Sequence, residues 1–172
     1  LGTPTELEFN DFTPKIGLKY AFNDDLDGYI TFTEGYRAGG WAARTNDPSQ
    51  VLPFDPEIIE SLAIGFKASL MDGRARINSE YFFYDYQDLF NSATDPDTGN
   101  FAVFTNDAKV QGLEVEATIR VSETLDIFGF AAISDGEYKN VDPAVGAALG
   151  DELQRLPESS FKVGLTNIWP LN

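Results

Sequence analysis

The chain has 172 residues, 42% hydrophobic and 13% aromatic, with 28 acidic against 12 basic side chains and a formal charge of −16. Binding through nucleic-acid phosphates needs a basic surface, so that class of function is excluded. No Cys and no His is present, which removes disulfide frameworks, thiol nucleophiles, zinc sites and the Ser-His-Asp arrangement.

Seven strands are predicted from period-two alternation. The first covers about 12–23, with Ile16, Leu18, Tyr20 and Phe22 on one face and Lys15, Gly17 and Lys19 on the other. The second covers about 28–38, where Ile30 and Phe32 alternate with Thr31, Thr33 and Arg37. The third, about 57–71, sets Ile58, Leu62, Ile64, Phe66, Ala68 and Leu70 against Ser61, Gly65, Lys67 and Ser69. The fourth, about 73–90, sets Ala75, Ile77, Tyr81 and Phe83 against Arg76, Asn78 and Glu80, and its polar face then turns aromatic with Phe82, Tyr84 and Tyr86. The fifth, about 107–121, is the most regular: Leu113, Val115, Ala117, Ile119 and Val121 oppose Gly112, Glu114, Glu116, Thr118 and Arg120. In the sixth, about 125–138, Phe128 and Phe130 stand opposite Ile127, Ala131 and Ile133, and the two faces are not sharply separated. The seventh covers about 156–169, with Phe161, Val163, Leu165 and Trp169 opposing Ser160, Lys162, Gly164 and Thr166.

The connections alternate in length. Short turns fall at 23–28, 71–73 and 122–126, and long loops are expected over roughly 38–56, 91–105 and 139–155. Short turns at one end and long loops at the other mark an asymmetric environment, as in outer-membrane barrels with periplasmic turns and extracellular loops. A strand crosses a bilayer with about 10 alternating residues, so the lack of any long apolar run excludes only a transmembrane helix. A soluble antiparallel sheet with one wet face would show the same alternation. Strands of about 15 residues, against the usual 5–6, favour the barrel. Bacterial barrels have an even strand number. The expectation is therefore an all-β antiparallel meander of about seven long strands, a sector of a larger barrel.

Specific segments carry a resemblance to a family. Pro14-Lys15-Ile16-Gly17-Leu18-Lys19-Tyr20 is similar to a "P-K-x-G-x-x-Y" strand, and Gly35-Tyr36-Arg37-Ala38-Gly39-Gly40-Trp41 to "G-Y-R-x-G-G-F". Phe54-Asp55-Pro56-Glu57 resembles "F-x-P-E", and Tyr81-Phe82-Phe83-Tyr84-Asp85-Tyr86-Gln87-Asp88-Leu89 resembles "F-Y-x-D-Y-x-D-L". Gly112-Leu113-Glu114-Val115-Glu116 is similar to "G-x-E-x-E". Ala63 stands where the pattern usually has Glu. Together these resemble the TonB-dependent outer-membrane receptors, in particular the siderophore and iron-complex group. The resemblance implies a sector of a 22-stranded transmembrane barrel in the outer membrane of a Gram-negative cell, with residues 1–172 as part of the barrel domain. It also implies a plug domain with a TonB box ahead of the barrel, and further barrel strands after it. Implied partners are outer-membrane lipid, an iron-siderophore-type ligand, the plug, the remaining strands and TonB; no nucleic acid and no cofactor is implied.

Candidate ligand-contact residues are Arg37, Trp41 and Arg44 at the outer rim and Tyr84 and Tyr86 on the inner wall. An Arg fork suits the oxygens of an iron complex, and aromatic rings supply stacking area. Structural readings compete: the paired glycines suit a bulge, Trp41 suits an aromatic girdle, and the tyrosines suit packing against a plug. Glu114, Glu116 and Arg120 read as lumen charge or as partners of a plug. Asp95-Pro96-Asp97-Thr98-Gly99-Asn100 lacks the spacing of a calcium loop and reads as turn chemistry. No carboxylate pair stands out from the acidic background, so no enzyme is expected. The alternatives carried forward are a passive porin and a soluble β-sheet binding domain.

Overall fold

The computed structural model describes residues 6–42, 51–94, 99, 101–141, 149–153 and 155–169. Among the described residues there are nine strands: β1 (Lys15–Asn23), β2 (Leu26–Arg37), β3 (Gly40–Trp41), β4 (Pro53–Phe54), β5 (Glu57–Leu70), β6 (Ala75–Thr94), β7 (Phe101–Arg120), β8 (Leu125–Asn140) and β9 (Ser159–Asn167). Seven of them form one antiparallel sheet in the order β1-β2-β5-β6-β7-β8-β9, and β3 and β4 pair separately as a small ribbon. Each strand of the large sheet lies beside its neighbour in the chain, interrupted only by the ribbon, so the topology is the expected meander.

Three tight turns close the hairpins at one end, each by its own side-chain chemistry. Asn23 Oδ1 accepts the Asp25 amide at 2.8 Å, an Asx turn. Arg74 donates its amide to the Met71 carbonyl at 3.2 Å, and Met71, Asp72 and Gly73 all lie at positive φ (56°, 54° and 81°), the left-handed region that tight hairpin turns use. The Ser122 hydroxyl accepts the amides of Thr124 and Leu125 at 3.3 and 3.1 Å.

Pairing register decides the faces, because directly opposed residues in an antiparallel sheet share a side. One row runs Leu18–Ile30–Ile64–Tyr81–Leu113–Ile133 across six strands. Parallel rows on the same side contain Phe32, Leu62 and Phe83, then Leu70, Ala75, Ile119, Ile127 and Leu165. Many of these apolar side chains are more than a third exposed, among them Leu18, Ile64, Tyr81, Leu113, Ile133 and Phe161. A continuous exposed apolar face of this extent does not suit a soluble sheet. From Leu62 to Leu70 it spans eight residue steps of β5, about 27 Å along the strand at ~3.4 Å per step, or about 20 Å of height at the ~40° tilt of barrel strands, most of the apolar band of a transmembrane barrel. On β2, β5 and β6 the band ends at the next row, Glu34–Glu60–Asp85, which continues as Lys109–Glu137, and on β7 and β8 it ends one row sooner, where Phe83 faces Gln111 and Gln111 faces Asp135. Lys109 pairs with Glu137 at 2.8 Å and Lys139 with Asp85 at 2.7 Å.

The opposite face is polar, with rows such as Lys19–Tyr29–Gly65–Glu80–Glu114 and Asp27–Lys67–Asn78–Glu116–Phe130–Lys162. Phe128 and Phe130 belong to it, which resolves the ambiguous sixth predicted strand. Aromatic rings on this face lie flat over glycines of the next strand. A Cβ added at Gly65 would strike the Tyr29 ring, one at Gly112 the Phe82 ring, and one at Gly164 the Phe128 ring. Each of these pairs is directly opposed in register.

Two expectations need correction at the other end. Residues 91–105 were expected as a loop, but β6 and β7 continue through 91–94 and 101–105, each reaching 20 residues. The loop expected over 38–56 contains the β3–β4 ribbon, because Gly39 and Gly40 let the chain pass close to Phe54. A β-bulge between Tyr86 and Leu89, with Asp88 at φ 54°, interrupts β6 just above the apolar band.

Candidate functional site

The inner wall presents Phe82, Tyr84 and Tyr86 from alternate positions of β6. Phe82 lies on the bed that Gly112 leaves open and stacks on Tyr84, with centroids 4.8 Å apart and planes 22° from parallel. Tyr84 meets Tyr86 edge-on at 6.5 Å. The column therefore climbs from the middle of the sheet toward the loop end. At its foot lie Glu80 and Glu114, directly opposed in register, and Glu116 beside them. Like charges directly opposite disfavour a sheet unless other groups offset them. Tyr29 donates its hydroxyl to Glu80 at 2.7 Å and Asn78 donates its amide to Glu116 at 3.4 Å. The Lys67 ammonium stands 5.7 Å from the Tyr29 ring centre, and Lys19 pairs with Asp27 at 2.8 Å. Asn78, Glu80, Glu114, Glu116 and Phe130 enclose a depression of about 240 Å³ on this wall. A larger one, about 840 Å³, lies against Leu18, Tyr20, Phe22, Ile30, Ile64 and Phe66. Its lining is hydrocarbon of the apolar face, so it is a feature of the lipid side and not of the site.

Arg37 ends β2 directly opposite Glu57, the first residue of β5. Its guanidinium lies 3.5 Å from the Glu57 carboxylate and 4.5 Å from the centre of the Phe90 ring. The pairing of β5 with β6 stops at Ile58–Gln87, so no β5 backbone lies opposite Phe90, and the Glu57 carboxylate accepts the Phe90 amide at 3.2 Å. Phe54 packs edge-on against Phe90 at 4.8 Å. Glu57 is only 14% exposed and Arg37 is 68% exposed, so the pair holds a guanidinium whose outer edge faces solvent. The exposed pair and the cation–π contact each contribute about 1 kcal/mol or less.

The predicted residues thus fall into separate groups. Tyr84 and Tyr86 are neighbours on the wall, and Arg37 stands above them at the rim. Trp41 sits in the ribbon opposite Pro53, half-buried. Arg44 lies outside the described residues, as does most of the 95–100 segment. Sequence reasoning missed Glu57, Phe54 and Phe90. Glu57 was findable: residues 37 and 57 flank the expected 38–56 loop, so a hairpin register places opposite charges face to face.

Residues 2–171 match the family described as TonB dependent receptor-like, beta-barrel. The chain belongs to the TonB-dependent receptor barrels. It is 23% identical over 148 residues to the metal-pseudopaline receptor CntO of Pseudomonas aeruginosa, covering 86% of this chain and 20% of that protein. The chain thus spans about a fifth of the length of the curated relative. Its fold is similar to the ferric yersiniabactin uptake receptor FyuA of Yersinia pestis, with a TM-score of 0.74 and 14% identity over 92% of this chain and 23% of that one. It is also similar to the alcaligin outer-membrane receptor FauA of Bordetella pertussis, with a TM-score of 0.64 and 24% identity over 95% and 27%. The family is one of transport receptors of the outer membrane, and the faces follow: the Leu18–Ile133 rows face lipid, the Glu80–Glu114 rows face the lumen. In a TonB-dependent barrel the tight turns are periplasmic and the Arg37–Phe90 rim is extracellular.

Proposed function

We propose that this chain is part of the barrel of a receptor that imports an iron-siderophore or similar metal complex, energised by TonB through a plug domain. The observation that carries this reading is the polar column on the lumen face. It rises from the Glu80–Glu114 pair through Tyr84 and Tyr86 toward an exposed Arg37 at the extracellular rim, in a family of transport receptors. We assign ligand contact to Arg37, Trp41, Arg44, Tyr84 and Tyr86. Arg37 offers N–H donors to chelate oxygens, the tyrosines offer edges and hydroxyls, and Trp41 and Arg44 follow Arg37 in the same loop. A plug would meet the carboxylates of Glu80, Glu114 and Glu116 and needs basic or amide groups there. Residues 1–172 then form one sector of a 22-stranded wall completed by further strands.

The test is uptake of radio-iron by cells carrying the full-length receptor, supplied as ferric citrate, a ferric tris-catecholate or ferrioxamine B. Uptake of at least one chelate should require both TonB and the proton gradient, and should fall about tenfold when Arg37, Tyr84 and Tyr86 are all replaced by Ala. Uptake that persists without TonB assigns the protein to passive channels instead.

A further inference from the structure

The upper halves of β6 and β7 form a hairpin set off from the wall by two irregularities at one level. β6 is bulged between Tyr86 and Leu89, and the pairing of β7 with β8 shifts between Asp107 and Ala108. Asp107 spans both. One carboxylate oxygen accepts the Asp88 amide at 3.2 Å and the other accepts the Asn140 side-chain amide at 3.4 Å. A bulge interrupts the ladder and bends the strand, so residues 89–94 and 101–106 stand on a seam and their placement depends on side contacts.

Two consecutive residues of this hairpin supply those contacts in two directions. Phe90 packs on Phe54 of the β2–β5 loop at 4.8 Å, carries the Arg37 guanidinium at 4.5 Å and donates its amide to Glu57 at 3.2 Å. Asn91 donates to the Tyr138 hydroxyl at 3.4 Å and accepts from the Asn106 side chain at 2.8 Å. Tyr138 and Asn106 are almost wholly buried, at 2% and 1% exposure. The Tyr138 backbone in turn holds the β8–β9 loop: its amide donates to the Asp151 carbonyl at 3.1 Å, and its carbonyl accepts the Gly150 amide at 3.0 Å. Phe54 and residues 150–151 therefore hang on adjacent positions of one strand.

We propose that the paired segments 89–94 and 101–106 are a hub that joins the β3–β4 ribbon and residues 149–153 into one mechanical unit, so that a ligand restraining either of them restrains the other. The coupling runs through packed rings and buried hydrogen bonds, the kind of contiguous network able to carry it. It does not depend on the identity of the ligand, and its test uses none.

Hydrogen–deuterium exchange on the full-length receptor in detergent micelles reads both loops at once. Phe54→Ala should raise exchange in its own ribbon and also in residues 149–153, by about twofold to thirtyfold, the range of coupling carried by such networks. Asn91→Ala should raise exchange of the Ala42 amide, which is bonded to the Leu52 carbonyl at 2.9 Å. In the Asn91→Ala background, adding Phe54→Ala should no longer affect 149–153. Effects confined to the loop that carries the substitution, or equal effects in both backgrounds, overturn the hub. Should Phe54→Ala fail to give a heat-modifiable barrel, Phe54→Leu retains apolar bulk and is read against the same outcomes.

Discussion

Replacing Gly112 with Ala tests the packing of the inner wall most directly. A Cβ at this position would strike the Phe82 ring and lie 2.6 Å from the Ile133 carbonyl oxygen. The first obstacle is a side chain that is only 6% exposed and stacked on Tyr84. The second is backbone of the neighbouring strand and cannot rotate away. Overpacking of this kind costs about 1–3 kcal/mol. If Phe82 instead swings into the lumen, it gives up burial of about 1.5–3 kcal/mol. Both routes converge on a destabilisation of about 2–3 kcal/mol. Gly129→Ala is the matched control, since its Cβ meets only the Lys162 carbonyl oxygen at 3.7 Å. That change should be neutral or stabilise by up to about 1 kcal/mol through the unfolded state. The assay is reversible urea unfolding of the full-length barrel into and out of lipid vesicles, followed by heat-modifiability. On a Phe82→Ala background, the added cost of Gly112→Ala should fall to about 1 kcal/mol, because only the Ile133 contact remains; the difference is the coupling of neighbouring sites. Equal stabilities for Gly112→Ala and Gly129→Ala, or an undiminished cost without Phe82, refute the packing argument.

The same unfolding assay checks three further expectations. Ile64→Lys places a charge in the middle of the lipid-facing row and should cost about 2–4 kcal/mol, whereas Glu114→Lys on the lumen face should cost less than about 1 kcal/mol. Tyr29→Phe keeps the ring over Gly65 but removes the donor to Glu80, and a loss of about 1 kcal/mol is expected; no loss would mean that water replaces the hydroxyl fully. Asp72 sits at φ 54°, so Asp72→Gly should be neutral or stabilising, while Asp72→Val should cost about 1–2 kcal/mol because Cβ branching disfavours the left-handed region. A loss on Asp72→Gly as large as on Asp72→Val would count against the turn assignment.

Strand existence and face were legible because the period of two is enforced by two solvents. In β5 from Leu62 to Leu70 and in β7 from Leu113 to Ile119 every second residue is apolar, and the observed register places them in the rows the alternation indicates. β8 was harder, since Phe128 and Phe130 make its lumen face apolar; the reason is visible only across the sheet, where Phe128 covers Gly164. The outer end was least legible. Residues 91–105 read as loop because Asn91, Asp95, Pro96, Asp97, Gly99 and Asn100 are poor strand formers, yet Asn106 donates to Asn91 and Asn91 donates to Tyr138, which ties the two strands to β8. The left-handed Asp88 and the ribbon at Gly40 and Phe54 arise from tertiary contacts that no local pattern contains. Of the candidate site, the Tyr84–Tyr86 column followed from alternation, while the cradle around Arg37 depended on a bulge that alternation cannot foresee.

Rings laid sideways over glycines have a consequence for the lumen face of a receptor that works as proposed above. Tyr29, Phe82 and Phe128 each fill a neighbour's vacancy instead of projecting, so the lining has low relief for its aromatic content. A body drawn along such a surface slides past the edges and faces of seated rings, with few bulky groups standing in its way. Any change that unseats a ring, even one methyl group behind it, turns a smooth stretch into an obstruction.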